Sequence, residues 1–365
     1  MRVGIHADPA AHSIPGGVGV YVRRLVDELL LVDGDPRVEL ILSRFADPPA
    51  AWSTAAMIRP QLPFAPLYAA WNWLGFPPVD GGLDVVHATG LAIPPSRGAA
   101  LVSTIHDLAV TTMPEVVPGL WRRIYQRGLR RAVEESKVLC AVSEATRQQI
   151  VDAYSVDPER IVVTPEAPNV TPASPCDPGA LGRLGVSGPY ILTVGTVEPR
   201  KNQVRLVKAF AQAGEPLAGH TLVLAGIPGW GQEQVEAAID RLRIGHRVVL
   251  TGKVTNLDLA ALYAGAHVFA LPSLYEGFGI PLVEAMSFGV PCVAGSTPAL
   301  AELAGDAALL CDPADVDGLA AALVSLATDE TVRERLSAAA RSRAAGYSWA
   351  GTARLTIEAY RRAAA

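Results

Sequence analysis

Residues 271–293 read LPSLYEGFGIPLVEAMSFGVPCV, with the strand-like HVFA at 267–270 ahead of them. Read by residue type, this is a strand, a glycine loop, a helix over 281–288 and a second strand at 292–294. Two short apolar strands joined by a helix make a parallel βαβ unit. Gly277 and Gly279 let the backbone come close to a ligand, and Pro281 suits a first helical turn. The N–H groups of that turn form an anion site. Glu284 lies one turn inside the helix, where its carboxylate can accept two ribose-type hydroxyls, and Glu276 sits on the strand-end loop, where a sugar hydroxyl can be held. A plain strand–loop–helix with surface acids is the competing reading.

Working outward, the same alternation fills the second half of the chain, with strands expected at 190–194, 221–225, 247–250, 267–270, 292–294 and 307–310. Helices are expected at 203–213, 232–242, 257–264 and 281–288. Six prolines between 165 and 189 break both periodicities, and the interdomain linker is placed there. Before it, strands are expected at 2–6, 38–42, 84–87, 101–105, 138–142 and 161–164, again separated by helix-length segments. A final helix near 348–362 has no sheet partner in its own half. The expected architecture is α/β: two doubly wound parallel-sheet domains facing each other across a cleft, with sites on the loops after strands.

Composition agrees with a folded protein, since 50% of the 365 residues are hydrophobic and 18% are charged. The net charge of −5 gives no global attraction to nucleic acid or an anionic membrane. Cys140, Cys176, Cys292 and Cys311 have neither CxxC spacing nor the density of a disulfide framework, so a reduced, cytoplasmic protein is expected. The N-terminus has too short an apolar run for a signal peptide, and prolines break the longest uncharged stretch, so no transmembrane segment is expected.

Three further constellations carry chemistry. In Val194-Gly195-Thr196-Val197-Glu198-Pro199-Arg200-Lys201-Asn202, two adjacent cations at a strand end can clamp a diphosphate, Arg200 with a planar fork and Lys201 as a point charge. A solvated pair on a helical turn is the alternative, although the helix dipole disfavours cations there. Gly16-Gly17-Val18-Gly19 lacks the GxGxxG pattern, and no acid ends the next strand, so a nicotinamide site is poorly supported. A tight turn is its plain reading. His106-Asp107 ends the strand at 101–105, where a histidine can hydrogen-bond a sugar hydroxyl or be a buried structural residue. His6, His87 and His267 are read as structural and Asp107 as a cap. The DxD strings at 33–35 and 315–317 also read as caps, and no zinc spacing or metal site is found.

EGFGIPLVE, two glutamates separated by seven residues, resembles the EX7E motif of glycosyltransferase family 4, which consists of retaining enzymes of the GT-B fold. IPGGVGVYVRRLVDEL, STIHDLAV, CAVSEATRQQI, VGTVEPRKN, LVLAG and the C-terminal YSW follow in the family's order. The resemblance implies an acceptor-binding domain at 1–170, a linker at 171–187, a sugar-nucleotide domain at 188–347 and a helix at 348–365 that crosses back. It implies catalytic roles for His106, Glu276, Arg200 and Lys201. It also implies donor contacts at Gly17, Val254, Gly277, Phe278, Gly279, Ile280, Leu282 and Glu284. Many members carry an arginine directly after the strand-end glycine; here Thr196 stands instead, and Arg200 would supply that contact.

The implied reaction is metal-independent and cofactor-free hexosyl transfer from a sugar nucleotide to a glycan, lipid-linked or small-molecule acceptor. GGVGVYVRRL, HDL and EPRKN look like members that use GDP-mannose, with a UDP-sugar donor as the alternative. A sugar-nucleotide epimerase, a pyridoxal-dependent phosphorylase of the same fold and a non-catalytic sugar-nucleotide binder are the rival classes. In 118–135, PGLWRRIYQRGLRRAVEE, the pattern groups Arg123, Arg127, Arg130 and Arg131 on one helical face and Trp121, Ile124, Tyr125 and Ala132 on another. That basic face is a candidate for peripheral contact with an anionic membrane at the inner face, against the plain reading of a solvated face over a core-packing stripe. Trp71, Trp73 and Phe76 beside it are a candidate apolar acceptor site.

Overall fold

A computed structural model describes residues 1–11, 16–79, 81–113 and 119–365. Pro118 and the first two residues of IPGGVGVYVRRLVDEL, both part of the reading above, lie outside these. The chain forms two compact units, Met1–Glu166 with Ser348–Ala365, and Ala167–Tyr347.

The first unit holds a parallel sheet of β1 (Arg2–His6), β2 (Arg37–Ile41), β3 (Ala56–Ile58), β4 (Val85–Ala88), β5 (Ala100–Ile105), β6 (Val138–Ala141) and β7 (Ile161–Val163), in the order β3-β2-β1-β4-β5-β6-β7. Its helices are α1 (Gly17–Leu30), α2 (Phe64–Ala69) continuing as a π-helix (Ala70–Leu74), α3 (Ala109–Thr112), α4 (Gly119–Glu135) and α5 (Glu144–Tyr154). β4 and β6 are buried at every position, as strands covered on both faces must be. α1 turns Tyr21, Val22, Leu25, Val26 and Leu29 inward, the spacing of one helical stripe. β3 was not expected, because its AMI is three partly exposed residues on a sheet edge, too short for any period.

The second unit has α6 (Ala180–Arg183) and a parallel sheet of β8 (Tyr190–Val194), β9 (Thr221–Ala225), β10 (Val248–Gly252), β11 (Val268–Leu271), β12 (Cys292–Gly295) and β13 (Ala308–Cys311), ordered β10-β9-β8-β11-β12-β13. Between the strands run α7 (Gln203–Gln212), α8 (Gln232–Leu242), α9 (Asn256–Gly265), α10 (Ile280–Ser287) and α11 (Pro298–Ala304), and after them α12 (Val316–Thr328) and α13 (Glu330–Ala344). Leu206, Val207 and Phe210 of α7 pack with Leu222, Leu319 and Leu323 in its core. The stretch expected as a linker packs into this unit: Ala180 and Val186 are buried, and Arg183 bonds Asp258 at 2.6 Å.

α14 (Trp349–Ala364) returns to the first unit, capped by Ser348, whose hydroxyl accepts from the Gly351 N–H. Thr352 donates to the Pro165 carbonyl, and the Tyr360 hydroxyl lies 2.8 Å from His87 Nδ1. Among the described residues no helix is long and apolar enough to cross a membrane.

Each sheet reverses its strand order once, between β1 and β4 and between β8 and β11. Loops leaving the two strands at such a switch point diverge and leave a crevice beyond their carboxyl ends, where open α/β sheets bind ligands.

Candidate active site

At the second unit's switch point the loops after β8 and β11 are stitched together. The Leu274 N–H donates to the Arg200 carbonyl at 2.8 Å, and Asn202 Nδ2 donates to the carbonyls of Pro272 and Pro313 at 2.9 and 2.7 Å. Gly195 ends β8 at φ 146°, a conformation side chains resist, and so turns the chain toward the short helical turn that presents Arg200 and Lys201.

These bonds bring Arg200, Lys201 and Glu276 together. Lys201 Nζ donates to Glu276 Oε1 at 2.6 Å, Ser273 Oγ donates to the same oxygen at 2.7 Å, and Arg200 Nη1 donates to Oε2 at 2.8 Å. Arg200 also pairs with Glu198 at 2.8 Å and donates to the Tyr275 carbonyl. Burial opposes the Glu276 charge, but Lys201 and then Arg200 outweigh it and hold the carboxyl down to about 2. Glu276, read from sequence as a strand-end loop acid, is thus buried. Two cations and two carboxylates leave the cluster neutral.

Glu284 also differs from its reading. It is 3% exposed; Oε1 accepts from the Asn169 and Val170 N–H groups at 3.1 and 3.3 Å, and Oε2 accepts from Tyr263 at 2.8 Å. A carboxylate has about four acceptor positions, so little capacity remains for ribose hydroxyls. Gly279 takes φ 114° at the start of α10, where a Cβ would stand 2.7 Å from Leu300. Leu282 is fully buried and its N–H donates to the Gly279 carbonyl; Phe278 packs edge-on to Tyr347. Gly277 is buried, Ile280 half-buried, and Val254 half-buried just before the Thr255 cap of α9.

In the first unit His106 follows β5. Its Nδ1 lies 3.0 Å from Glu166 Oε1 and its Nε2 2.9 Å from the Thr89 carbonyl. A carboxylate and a carbonyl both accept, so this setting favours a proton on each ring nitrogen. Burial works against that charge, but Glu166 and the carbonyl raise the His106 pKa above its ordinary value. His106 lines a cavity of about 290 Å³ with His6, Gly16, Gly19, Tyr68 and Tyr125. Gly17, expected as a close-approach position, is exposed with open space where a Cβ would stand. Asp107 accepts from the Ala109 N–H, a cap as expected.

His87 is a satisfied core histidine, 2.8 Å from both Tyr360 and Thr104, and burial followed by its histidine neighbours pushes it down to about 3. His267 pairs with His220 at 2.8 Å. His6 is the exception: it lines the cavity and has no hydrogen-bond partner among the described residues. Its position at the end of β1 was the available signal. Glu166, Glu198, Asn202 and Ser273 were also missed. Glu166 stands in the proline-rich stretch, where nothing marks it, while Asn202 and Ser273 act only through contacts distant in sequence.

Arg131, counted with the basic face of α4, is instead 6% exposed. Its guanidinium bonds the carbonyls of Trp71 and Ile93 and forks onto Glu135. Arg123, Arg127 and Arg130 are exposed. Trp121 stacks on Phe64 at 5.3 Å, and Trp71 is fully buried and excluded from any surface acceptor site.

Two family profiles match the chain: "Glycosyltransferase Family 4" over residues 15–169 and "Glycosyl transferases group 1" over 183–343. The chain is 35% identical to O-antigen chain mannosyltransferase B of Escherichia coli over 273 residues, 73% of this chain and 71% of that protein. It is 30% identical to the MMP alpha-(1->4)-mannosyltransferase of Mycolicibacterium hassiacum, covering 96% and 95% of the two. Among solved structures, a sucrose-phosphate synthase from Thermosynechococcus elongatus superposes with a TM-score of 0.79 at 22% identity, over 99% of this chain and 98% of that one.

Proposed function

The chain belongs to the family 4 glycosyltransferases of GT-B fold, and from that premise we propose that it transfers a mannosyl group from GDP-mannose, with retention at the anomeric carbon. The observation that carries this reading is the buried Arg200–Lys201–Glu276 cluster at the switch point of the six-stranded sheet. There Arg200 and Lys201 neutralise charge as it develops on the departing diphosphate, aided by the first turn of α10. Glu276 is a poor nucleophile, because both its oxygens already accept from Ser273, Lys201 and Arg200. That favours a front-face reaction, in which the leaving phosphate takes the acceptor's proton, over a covalent glycosyl-enzyme.

In this reading the second unit binds the donor, with contacts at Gly277, Gly279, Ile280, Val254 and the remaining capacity of Glu284. The first unit binds a glycan, lipid-linked or small-molecule acceptor, and His106 bonds the transferred sugar by exchanging its bond to Glu166 or to the Thr89 carbonyl. No cofactor or metal takes part. The protein works in the cytoplasm, meeting the inner face of the membrane peripherally through Arg123, Arg127 and Arg130.

The test is a thermal-shift panel of GDP-mannose, UDP-glucose and UDP-N-acetylglucosamine, since donor at about 100 times its dissociation constant adds ~2.7 kcal/mol. The bound donor is then followed by NMR of the product's anomeric centre. Stabilisation by UDP-sugars alone overturns the donor assignment, and an inverted product overturns retention.

A further inference from the structure

A helix that docks on a sheet normally turns an apolar stripe to it. α14 also buries a polar one: Thr352, Thr356 and Tyr360, spaced four residues apart on one face, are 2%, 0% and 0% exposed. Apolar side chains of the same shape would dock the helix about as well, because replacing both partners of a buried hydrogen bond costs little. The stripe therefore asks for a reason besides docking, and its bonds lead to His106 along two routes.

The first route runs through the backbone. The Thr352 hydroxyl donates to the Pro165 carbonyl at 2.5 Å, and the Thr164 N–H just before it donates to the Ala141 carbonyl of β6 at 2.8 Å. The main chain is thus held at two successive residues ahead of Glu166, which is 6% exposed and whose Oε1 lies 3.0 Å from His106 Nδ1. The second route runs through side chains. The Tyr360 hydroxyl lies 2.8 Å from His87 Nδ1, His87 Nε2 lies 2.8 Å from the Thr104 hydroxyl, and that hydroxyl lies 3.0 Å from the one on Tyr21. The Tyr21 ring then meets the His106 ring at 83°, with centroids 4.7 Å apart. Buried side-chain networks whose bonds are made are stiff.

The two bonds of the His106 ring differ in strength. The one at Nδ1 goes to a carboxylate and is charge-assisted, while the one at Nε2 goes to the neutral Thr89 carbonyl. A sugar hydroxyl therefore displaces the carbonyl and takes Nε2, and the bond at Nδ1 sets the ring for it.

We propose that α14 positions His106: Thr352 anchors the chain so that Glu166 holds Nδ1, and Tyr21, tied to Tyr360 through Thr104 and His87, fixes the plane of the ring, leaving Nε2 to meet the transferred sugar. Thr352, Glu166 and Tyr21 are then positioning residues. Their part in transfer rests on the transferase reading above; the tie from α14 to His106 does not.

The experiment is steady-state kinetics with GDP-mannose, or with whichever sugar nucleotide the thermal-shift panel selects, run beside an NMR titration of the His106 ring. The full chain carries labelled histidine, and the His106 signals are those missing from His106→Gln. Thr352→Val should cut kcat about tenfold and leave the donor KM within about twofold, the pattern of a misplaced group rather than a weakened donor site. It should also move the His106 midpoint down toward the ordinary histidine value, because a slack Glu166 no longer favours the protonated ring. Thr352→Ser keeps the hydroxyl and should restore both readings. Asp107, His87 and Tyr21 also face His106, and His6 shares its cavity; all four are unchanged in both variants, so the midpoint reports on Glu166.

A wild-type kcat and midpoint in Thr352→Val overturn the proposal. So does a fall in kcat with an unmoved midpoint, since α14 is then a structural helix only, and so does a fall that Thr352→Ser leaves in place. If Thr352→Val does not fold, Tyr21→Phe decides, because it cuts the second route alone and keeps the ring. A lower kcat with shifted His106 signals then upholds the proposal, and no change in either overturns it. If the midpoint moves in Thr352→Val and returns in Thr352→Ser while even the wild type consumes no sugar nucleotide, the transferase reading falls and the tie from α14 to His106 stands.

Discussion

Lys201 and Glu276 form a 2.6 Å ion pair with both side chains under cover, at 9% and 7% residue exposure. Breaking a buried pair by deleting one member strands the other charge, which costs about 3–5 kcal/mol. Glu276→Ala is therefore expected to lower stability by that order as well as abolish transfer. Adding Lys201→Met to it should recover much of the stability and none of the activity. Thermal melts of the single and double variants check this; equal melting of wild type and Glu276→Ala would place the pair in solvent.

The same pair fixes an acid limit. The Glu276 carboxyl is held at about 2 in the fold, against an ordinary value near 4.5. A depressed folded value gives stability that is complete above the unfolded value and fades as pH falls through the folded one. Linkage makes this about 3 kcal/mol, lost between roughly pH 4.5 and 2. Glu276→Gln should flatten that part of the stability-against-pH curve, and an unchanged curve would count against the pairing.

His106 and Glu166 give the opposite sign. The His106 pKa is raised, so its contribution is complete below the unfolded value and is lost as pH rises through the folded one. Wild type should lose melting temperature as pH rises above the ordinary histidine value near 6.5, and His106→Gln should lose less over the same rise. For the reaction, His106→Ala should cut kcat far more than donor affinity; small, equal effects on both would make His106 a structural histidine.

Arg200→Ala removes charge-assisted bonds of roughly 1.5–3 kcal/mol. If Arg200 stabilises the leaving diphosphate, the loss is larger in the transition state than in the bound donor. Turnover should fall further than GDP-mannose affinity, measured by titration and by kinetics. Equal falls would make Arg200 a donor-binding group only.

The strand-helix alternation made both sheets legible, because parallel strands such as VVHA at 85–88 and VFAL at 268–271 are buried throughout and, His87 aside, apolar. The helix capped by Ser143 was legible for a local reason, a side chain bonding a backbone three residues on. β3 was not, since three edge residues carry no period. The site was half legible. Arg200, Lys201, Glu276 and His106 announce themselves as polar residues at strand ends, but their partners do not. Glu166 lies 60 residues from His106, and Glu198 satisfies Arg200 as a neighbour whose carboxylate reads like any surface acid. Glu284 was legible as a carboxylate on α10, but the contacts that occupy it come from residues 169 and 170, more than 110 positions away.

The surface of α4 supplies the last prediction. Its exposed cations are Arg123, Arg127 and Arg130, and Leu120 at its start is 62% exposed. Arg127 Nε donates to the Asn72 carbonyl of the π-helix, which holds that segment alongside α4. Around it Trp73, Leu74 and Phe76 are 45%, 76% and 58% exposed. Cations beside exposed apolar side chains suit the surface of an anionic bilayer, where each cation contributes about 1 kcal/mol. Co-sedimentation with phosphatidylglycerol vesicles should show weak binding at low salt that high salt abolishes, since exposed charges are screened beyond a Debye length. Changing Arg123, Arg127 and Arg130 together to Gln removes about 3 kcal/mol, roughly a hundredfold in partitioning. Arg131→Gln must be read differently: it cuts bonds to the carbonyls of Trp71 and Ile93 inside the fold, so it should lower the melting temperature instead. Vesicle binding that survives the triple change takes these cations out of the membrane contact, and absence of binding at low salt removes the membrane from the account and leaves a water-soluble acceptor.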